Sequence, residues 1–241
     1  MKIKVVKLYD DGSFGGDFLF GGENKADGNP EEKFPASLQN FLIDMENGEV
    51  ILVDTGLSPE TPFKGYTKVN TYMDAFKALG YKPEQVTKIL VTHKHPDHTG
   101  ELKEFPNAKV YIGPEDADAL KLTGENIIRC EYTDGAYKNF EHSQKIADGI
   151  YFIKARGHTK GNSIVIVEAD GVYYMMHGDV TYNDTALKRN KLSIVFEDLE
   201  AARDTLDRVR DFIKNNPTIY LSTHTPEGYK NLEEKIIMNL E

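Results

Sequence analysis

Apolar residues fall in short runs along the chain, separated by stretches rich in Gly, Pro, Asn and Asp. Such runs are typical of strands whose side chains are buried in a sheet. They predict strands at 1–9, 38–44, 50–53, 86–91, 109–112, 149–153, 163–167, 172–176 and 218–222. The dipeptide Asn47-Gly48 lies between the second and third of these runs, which indicates a hairpin turn.

Apolar positions three or four residues apart predict helices between the strands. The most regular stretch is 196–215, whose apolar positions are Ala202, Leu206, Val209 and Ile213. Glu197-Asp198-Leu199 opens this helix, and Pro217 closes it. Further helices are predicted at 71–79, 97–104, 114–122 and 227–241.

Three histidines and an aspartate lie within six residues, in His93-Lys94-His95-Pro96-Asp97-His98. The cluster follows the apolar strand that ends at Val91, and Pro96 and Asp97 suit the first turn of a helix. Imidazole nitrogens and carboxylate oxygens are ligands that suit Zn²⁺, and also Fe, Mn or Co. The alternative is a polar loop that merely contains three histidines. So dense a cluster of histidines has little structural role unless it binds a metal. The cluster therefore predicts a metal site.

This cluster resembles the His-x-His-x-Asp-His motif of the metallo-β-lactamase superfamily. The resemblance implies further ligands downstream, and the chain holds them in order in Gly157-His158-Thr159, Gly178-Asp179 and Ser222-Thr223-His224. It implies a four-layered αββα sandwich of α/β class, formed by residues 1–241 as a single domain. It also implies two divalent metal ions, with zinc as first choice and iron or manganese as alternatives.

The resemblance assigns each residue a role. His93, His95 and His158 are expected to hold one ion. The other ion is expected to bind Asp97, His98 and His224, with Asp179 as a bridge between the two. Asp54, in Val53-Asp54-Thr55-Gly56, is expected to support the ligands from beneath, although a plain turn residue is the alternative.

Two divalent ions close together lower the pKa of a bridging water from about 15.7 towards neutrality, and the resulting hydroxide can attack a polarised carbonyl or phosphoryl group. Asp97 is expected to move a proton from the attacking oxygen towards the leaving group. Lys94 stands where the flavodiiron branch has an acidic ligand, which argues against redox chemistry with dioxygen.

Tyr182 lies three residues after Asp179, and a tyrosine at this spacing resembles the N-acyl homoserine lactonase branch. There its hydroxyl can donate to a developing oxyanion, and the alternative is a packing role. Leu79-Gly80-Tyr81-Lys82-Pro83 and Phe105-Pro106-Asn107-Ala108 also look like that branch, whereas Lys160-Gly161-Asn162 departs from the Pro and His usual there. Lys160 could instead attract an anionic substrate.

The predicted function is therefore metal-dependent hydrolysis of a small-molecule ester or lactone. The alternatives are a thioester or phosphodiester hydrolase of the same fold and a non-catalytic, metal-containing ligand-binding module. His177 is expected to support the ligands or to lie on the surface.

Two irregular segments could border the site. Residues 12–35 predict a long loop with a short hairpin at 14–21, which forms either an edge of the substrate pocket or a surface loop pinned by aromatics. Residues 123–143 are rich in Gly and aromatics and predict a lid, with His142 as a lid or solvated residue.

Composition narrows the partners and the location. The chain is 39% hydrophobic, and its net charge of −10 argues against a nucleic-acid partner. Cys130 is the only cysteine, so no internal disulfide is possible, and we expect a bystander thiol. Neither a signal peptide nor a membrane span is indicated, so a cytoplasmic protein is expected. The oligomeric state is left open, with a homodimer as one option.

Overall fold

The computed structural model describes residues 1–240, and its first seven strands form one mixed sheet. Their bounds are β1 Lys2–Gly15, β2 Lys33–Asp44, β3 Val50–Val53, β4 Thr67–Lys68, β5 Val86–Leu90, β6 Lys109–Ile112 and β7 Ile127–Arg129. The order across the sheet is β4-β1-β2-β3-β5-β6-β7. The strands from β4 to β3 pair antiparallel, and those from β3 to β7 pair parallel.

The remaining five strands form a second sheet in the order β12-β11-β10-β9-β8. Their bounds are β8 Ser143–Ala147, β9 Ile150–Lys154, β10 Ser163–Ala169, β11 Val172–Met176 and β12 Thr218–Leu221. Neighbours from β8 to β11 are antiparallel, whereas β11 and β12 are parallel.

Within residues 1–240, seven α-helices connect and cover the sheets. They are α1 Gly16–Phe20, α2 Tyr72–Ala78, α3 Pro96–Thr99, α4 Pro114–Ala119, α5 Asp184–Arg189, α6 Leu199–Asn215 and α7 Glu227–Glu234. Short 3₁₀ turns occur at Lys25–Asp27, Pro83–Gln85 and Leu102–Glu104. None of the helices in residues 1–240 has the length and apolar character needed to cross a membrane.

The alternation of side chains along β3 shows how the layers are built. Ile51 and Val53 pack between the two sheets with Phe152 and Val165, whereas Val50 and Leu52 face the opposite side. That outer side of the first sheet is covered by Tyr72, Ala75 and Phe76 of α2. The outer side of the second sheet is covered by α6, through Ala202, Leu206, Val209, Phe212 and Ile213. The predicted four-layered αββα sandwich is therefore confirmed.

The hairpin predicted at 14–21 is wrong. β1 continues to Gly15 and pairs with β2 as far as the Gly15–Lys33 pair, and Gly16–Phe20 form α1. The N–H of Gly16 donates to the carbonyls of Asn29 and Glu32, so the returning chain is held at this point. Glycines between aromatics suit both a tight turn and a strand that passes into a helix. Here the strand continues because β2 is long enough to pair with β1 as far as Gly15.

The helix predicted at 97–104 is shorter than expected. It ends at Thr99, and the N–H of Gly100 donates to the carbonyl of Gly56 at 2.7 Å instead of continuing the helix. A side chain at Gly100 would lie 2.2 Å from the Ser58 nitrogen, so this close approach of two loops requires glycine.

The lid predicted at 123–143 is also wrong. Ile127–Arg129 join the first sheet, Tyr132 packs between the sheets, and Tyr137 and Phe140 pack in the core beneath α6. The aromatics of this segment are therefore core residues, while His142 is exposed. Cys130 is buried, as expected of a bystander thiol.

The helix predicted at 227–241 ends early. α7 stops at Glu234, where Lys235 takes a left-handed conformation, and the predicted end, residue 241, lies outside the described residues.

Candidate metal centre

Five of the predicted residues follow strands whose ends meet at one edge of the two sheets. They are Asp54 after β3, His93 after β5, His158 after β9, Asp179 after β11 and His224 after β12. Backbone hydrogen bonds join the sheets here, because the N–H groups of Ser37 and Gln39 in β2 donate to the carbonyls of His224 and Thr223 at 2.9 and 3.0 Å. The strand order therefore brings distant parts of the sequence to one place.

Three imidazoles form a compact set, which we call the first group: His93, His95 and His158. Nε2 of His158 lies 3.1 Å from Nε2 of His93 and 3.0 Å from Nδ1 of His95, and the latter two nitrogens are 3.1 Å apart. These three atoms lie close enough to share one metal ion.

A second set, which we call the second group, consists of Asp97, His98 and His224. Its ligand atoms also lie close enough together to hold a metal ion. Oδ2 of Asp97 is 3.4 Å from Nε2 of His224 and 3.8 Å from Nε2 of His98. The two histidines are buried, whereas the side chain of Asp97 is 18% exposed.

Asp179 lies between the two groups. Its Oδ2 is 2.8 Å from Nε2 of His224 and 3.5 Å from Nε2 of His98 in the second group. The same oxygen is 3.8 Å from Nε2 of His93 and 3.7 Å from Nε2 of His158 in the first group. One carboxylate oxygen therefore reaches both groups.

The charges of these side chains fit a cation. Burial lowers the pKa of His93 and His95, and lowers that of His158 to about 4, so the first group presents neutral rings with free lone pairs. Burial favours neutral Asp179, but the neighbouring His224 and His98 hold its pKa well below the usual value.

Two buried atoms at the centre of the site also fit a metal. Nε2 of His98 and Oδ1 of Asp179 have no hydrogen-bond partner within residues 1–240. A buried polar atom without a partner is costly, and imidazole nitrogens and carboxylate oxygens are groups that metals prefer as ligands. The residues present therefore fit a divalent cation.

Asp54 holds the second group from beneath. This fully buried residue, in a left-handed conformation at the end of β3, accepts hydrogen bonds from the N–H and hydroxyl of Thr92 at 2.7 and 2.8 Å. Its Oδ2 also lies 2.8 Å from Nδ1 of His98. Because a carboxylate only accepts, this contact places the proton on Nδ1 and leaves Nε2 of His98 directed at Asp97 and Asp179.

Tyr182 lies beside the site rather than on the surface. Its ring stacks on His224 with centroids 4.9 Å apart, and Phe14 and Phe18 meet its edge at 5.5 and 4.9 Å. Burial raises its pKa well above 10, and the charges of Asp179 and Asp97 raise it further. The hydroxyl therefore keeps its proton at any physiological pH.

Three other predicted residues have different surroundings. His177 is buried and stacks on Tyr220 at 4.1 Å, so the surface alternative is wrong for it. Its burial lowers its pKa to about 3, which keeps the ring neutral. Lys160 is exposed, and its backbone N–H donates to Glu197 at 2.9 Å. His142 is exposed and lies on the segment that packs away from the site.

Sequence reasoning missed the residues that fix the loops. Nε2 of Gln39 donates to the carbonyls of Ser222 and Thr225 at 2.7 and 2.8 Å and so holds the loop of His224. The signal was available, since Ser37, Gln39 and Asn40 are polar residues in a strand buried on both faces. Asp116 was also missed, and nothing in its local sequence separates it from an ordinary acidic residue at a helix start.

Comparison with known proteins identifies a family and a set of structures with the same fold. Residues 39–224 match the Metallo-beta-lactamase superfamily. An N-acyl homoserine lactonase of Bacillus cereus is 24% identical over 206 residues, which cover 79% of this chain and 82% of the relative.

Solved structures resemble the chain over nearly its whole length. A quorum-quenching N-acyl homoserine lactone lactonase superposes with a TM-score of 0.72 and 19% identity, covering 95% of this chain and 94% of its own. The dizinc quorum-quenching lactonase AidC, solved in complex with a product, superposes with a TM-score of 0.65 and 17% identity over 93% and 90% of the two chains. The matched family pattern covers most of the chain and includes the five strand-end segments described above, so the chain belongs to the metallo-beta-lactamase superfamily.

Proposed function

We propose that this protein is a metal-dependent hydrolase that opens a lactone or small ester, as its lactonase relatives are named for doing. The observation that carries the proposal is the position of Asp179, whose Oδ2 lies within 3.8 Å of imidazole nitrogens from both groups. A shared carboxylate between two ligand sets is the arrangement expected of a two-metal hydrolytic site.

In this proposal the first group holds one ion, the second group holds the other, and Asp179 contacts both. Zinc is the first ion to test, because AidC is described as a dizinc lactonase and because nitrogen-rich sites suit zinc. Iron and manganese are the alternatives. When bound, such ions supply Lewis acidity that polarises a carbonyl and lowers the pKa of water towards neutrality.

Asp97 is the proposed proton carrier. Its side chain is 18% exposed, against 2% for Asp54 and Asp179, and its Oδ2 lies 3.4 Å from Nε2 of His224. It can accept a proton from an attacking water and return it to the alkoxide that leaves when a ring ester opens.

Tyr182 is the proposed donor to the oxyanion. Its raised pKa keeps the phenol protonated, and a protonated phenol close to Asp179 and Asp97 can donate to an ester oxygen as charge develops there. The stacked rings of Phe14 and Phe18, 4.7 Å apart, add an apolar wall next to Tyr182. This wall supports a substrate with an apolar substituent.

A phosphodiester or another anionic substrate fits less well. Lys94, which lies between His93 and His95 in the chain, is already paired with Glu197, and its ammonium lies 3.9 Å from Asp116. This pairing makes Lys94 a poor contact for an anionic substrate, because an anion would need a cation that is not already neutralised.

The experiment is a turnover panel with metal-loaded protein, offering lactones of different acyl length, thioesters and phosphodiesters. Hydrolysis of lactones above the other classes is the expected result. Faster hydrolysis of a thioester or phosphodiester would contradict the proposed lactone substrate. Binding of a ligand without product from any class would indicate a binding module. Asp179→Ala is the control that separates turnover by this site from contamination.

A further inference from the structure

Asp116, a further buried carboxylate, joins the two loops that carry the first group. Asp116 lies in the first turn of α4 and has no exposed surface. Its Oδ2 accepts from the N–H of Lys94 at 3.0 Å and from the hydroxyl of Thr159 at 2.6 Å, and its Oδ1 accepts from the N–H of Gly161 at 3.1 Å. Lys94 lies between His93 and His95, and Thr159 follows His158.

The contact is built into the backbone and is not a chance meeting of side chains. A Cβ added at Gly161 would lie 2.7 Å from Cγ of Asp116, and one at Gly113 would lie 2.4 Å from the carbonyl oxygen of Gly161. Only glycine at both positions lets the start of α4 approach the 157–162 loop this closely. The approach is therefore held from both sides.

All three partners of the carboxylate are hydrogen-bond donors. A carboxylate accepts several such bonds at once, whereas an amide of the same shape must turn its NH₂ towards one of the donors. On the protein surface above it, Glu197 pairs with the Lys94 ammonium and accepts from the N–H of Lys160, so the same two loops are joined a second time.

Asp54 and Asp116 occupy corresponding places beneath different ligand sets. Asp54 contacts the ring of His98 and the backbone before His93, and so supports the second group. Asp116 touches no imidazole but fixes both loops whose three rings form the first group. The ring nitrogens of that group come from loops 63 and 65 residues apart, and Asp116 is a direct link between them.

We propose that Asp116 is a positioning residue that sets the metal affinity of the first group and leaves that of the second group largely unchanged. This inference rests on the proposed assignment of two ions to the two groups. Removing a residue that orients ligands typically weakens metal binding by about 10–100-fold.

The test measures zinc binding to Asp116→Asn by competition with a chromophoric chelator, alongside the melting temperature of the metal-free protein. The variant is expected to keep one tight equivalent and to bind the other about 10–100-fold more weakly. Asp118→Asn is the matched control, since Asp118 lies on the same helix, is 70% exposed and pairs with Arg129. It is expected to bind both equivalents as the wild type does.

Two backgrounds identify the affected group. In His224→Ala, where the first group is intact, Asp116→Asn is expected to weaken the remaining site by the same factor. In His158→Ala, where the first group is already broken, it is expected to change the remaining affinity by less than about threefold, because the two changes act on one site. Equal effects in the two backgrounds would overturn the inference.

Thr159→Val provides a milder variant should Asp116→Asn fail to fold. It removes one donor while keeping the branched shape, and it is expected to weaken the same equivalent by a few-fold. A lower melting temperature of the metal-free variants with unchanged zinc affinity would overturn the positioning role and leave a structural one. Failure of the wild type to bind two equivalents would overturn the proposed function instead, so the two failures are distinguishable.

Discussion

The carboxylate of Asp179 lies 2.8 Å from the imidazole of His224, and both side chains are buried. The charge of Asp179 raises the pKa of His224 against the effect of burial, so the pair is strongly coupled. A buried carboxylate requires a positive partner, which can be protons on the neighbouring rings or a cation held by them. Loss of either charge is therefore expected to leave the other partner of this pair buried without compensation.

Replacement of Asp179 by Ala is expected to weaken metal binding at both groups, because its Oδ2 reaches imidazoles of each. Hydrolysis should fall to the level of chelator-treated wild type. His95→Ala should remove metal chiefly from the first group and also abolish turnover. Metal content by plasma spectrometry, together with rates on the best substrate of the panel, measures both effects. Two bound equivalents and full activity in both variants would refute the site assignment.

Tyr182→Phe is expected to lower kcat for lactones by roughly tenfold or more, as a lost oxyanion donor does, with little change in metal content. The ring stack on His224 is kept, so packing is preserved. Tyr137→Phe is the control, because its hydroxyl contacts the remote Glu168. An unchanged kcat in Tyr182→Phe would leave this residue with a packing role only.

Stability is expected to depend on pH through Asp184. Burial raises its pKa from 3.8 to about 6, while the bond from Asn231 opposes the rise. Between these two values the folded chain binds more protons than the unfolded chain at this residue, so its contribution to stability falls as pH rises from about 4 to 6. Its ionisation then costs on the order of 3 kcal/mol at pH 7.

Asp184→Asn removes this charge and keeps the shape. The variant is expected to gain free energy of unfolding relative to wild type at pH 7.5, and to lose that advantage near pH 4. Urea titrations at the two pH values measure the difference. An advantage of equal size at both pH values would contradict the titration of Asp184.

The core beneath α6 is expected to respond strongly to a cavity. Leu206 has no exposed surface and packs with the second sheet, so Leu206→Ala should cost about 2–5 kcal/mol of the free energy of unfolding. Leu199, on the same helix, is 40% exposed, and Leu199→Ala should change stability by less than about 0.5 kcal/mol. Chemical denaturation of the two variants measures the free energy of unfolding. Equal losses in the two variants would contradict the assignment of Leu206 to the buried face of α6 and Leu199 to the exposed face.

The cluster at 93–98 was predictable as a metal site because its chemistry is local. Asp179 and His224 also follow apolar runs, but their place in the same site was expected from the resemblance to the family motif. The supporting contacts were not predictable in the same way. Asp116 meets Lys94 22 positions away and Gly161 45 positions away, and no local pattern encodes such a meeting.

The errors have a similar physical origin. The hairpin predicted at 14–21 rests on the composition of the 12–35 segment, yet the pairing of β1 with β2 extends the strand through Phe14 to Gly15. The aromatics of 123–143 suggested a cover for the site, but Tyr132 and Phe140 found apolar neighbours in two cores instead. Local composition could not indicate which distant surface these side chains would meet.

Gln39 donates to the carbonyl of Ser222, a residue 183 positions later in the chain. The loop of His224 is held by this bond and by the backbone hydrogen bonds of β2 with 223–224. It therefore cannot take its final position until the segment after β12 docks against β2. Contacts between such distant positions form late and slowly, since a long loop must close first. A growing polypeptide therefore contains His93, His95 and His98 well before His224 has been synthesised, and it gains the complete centre only after His224 has emerged and docked.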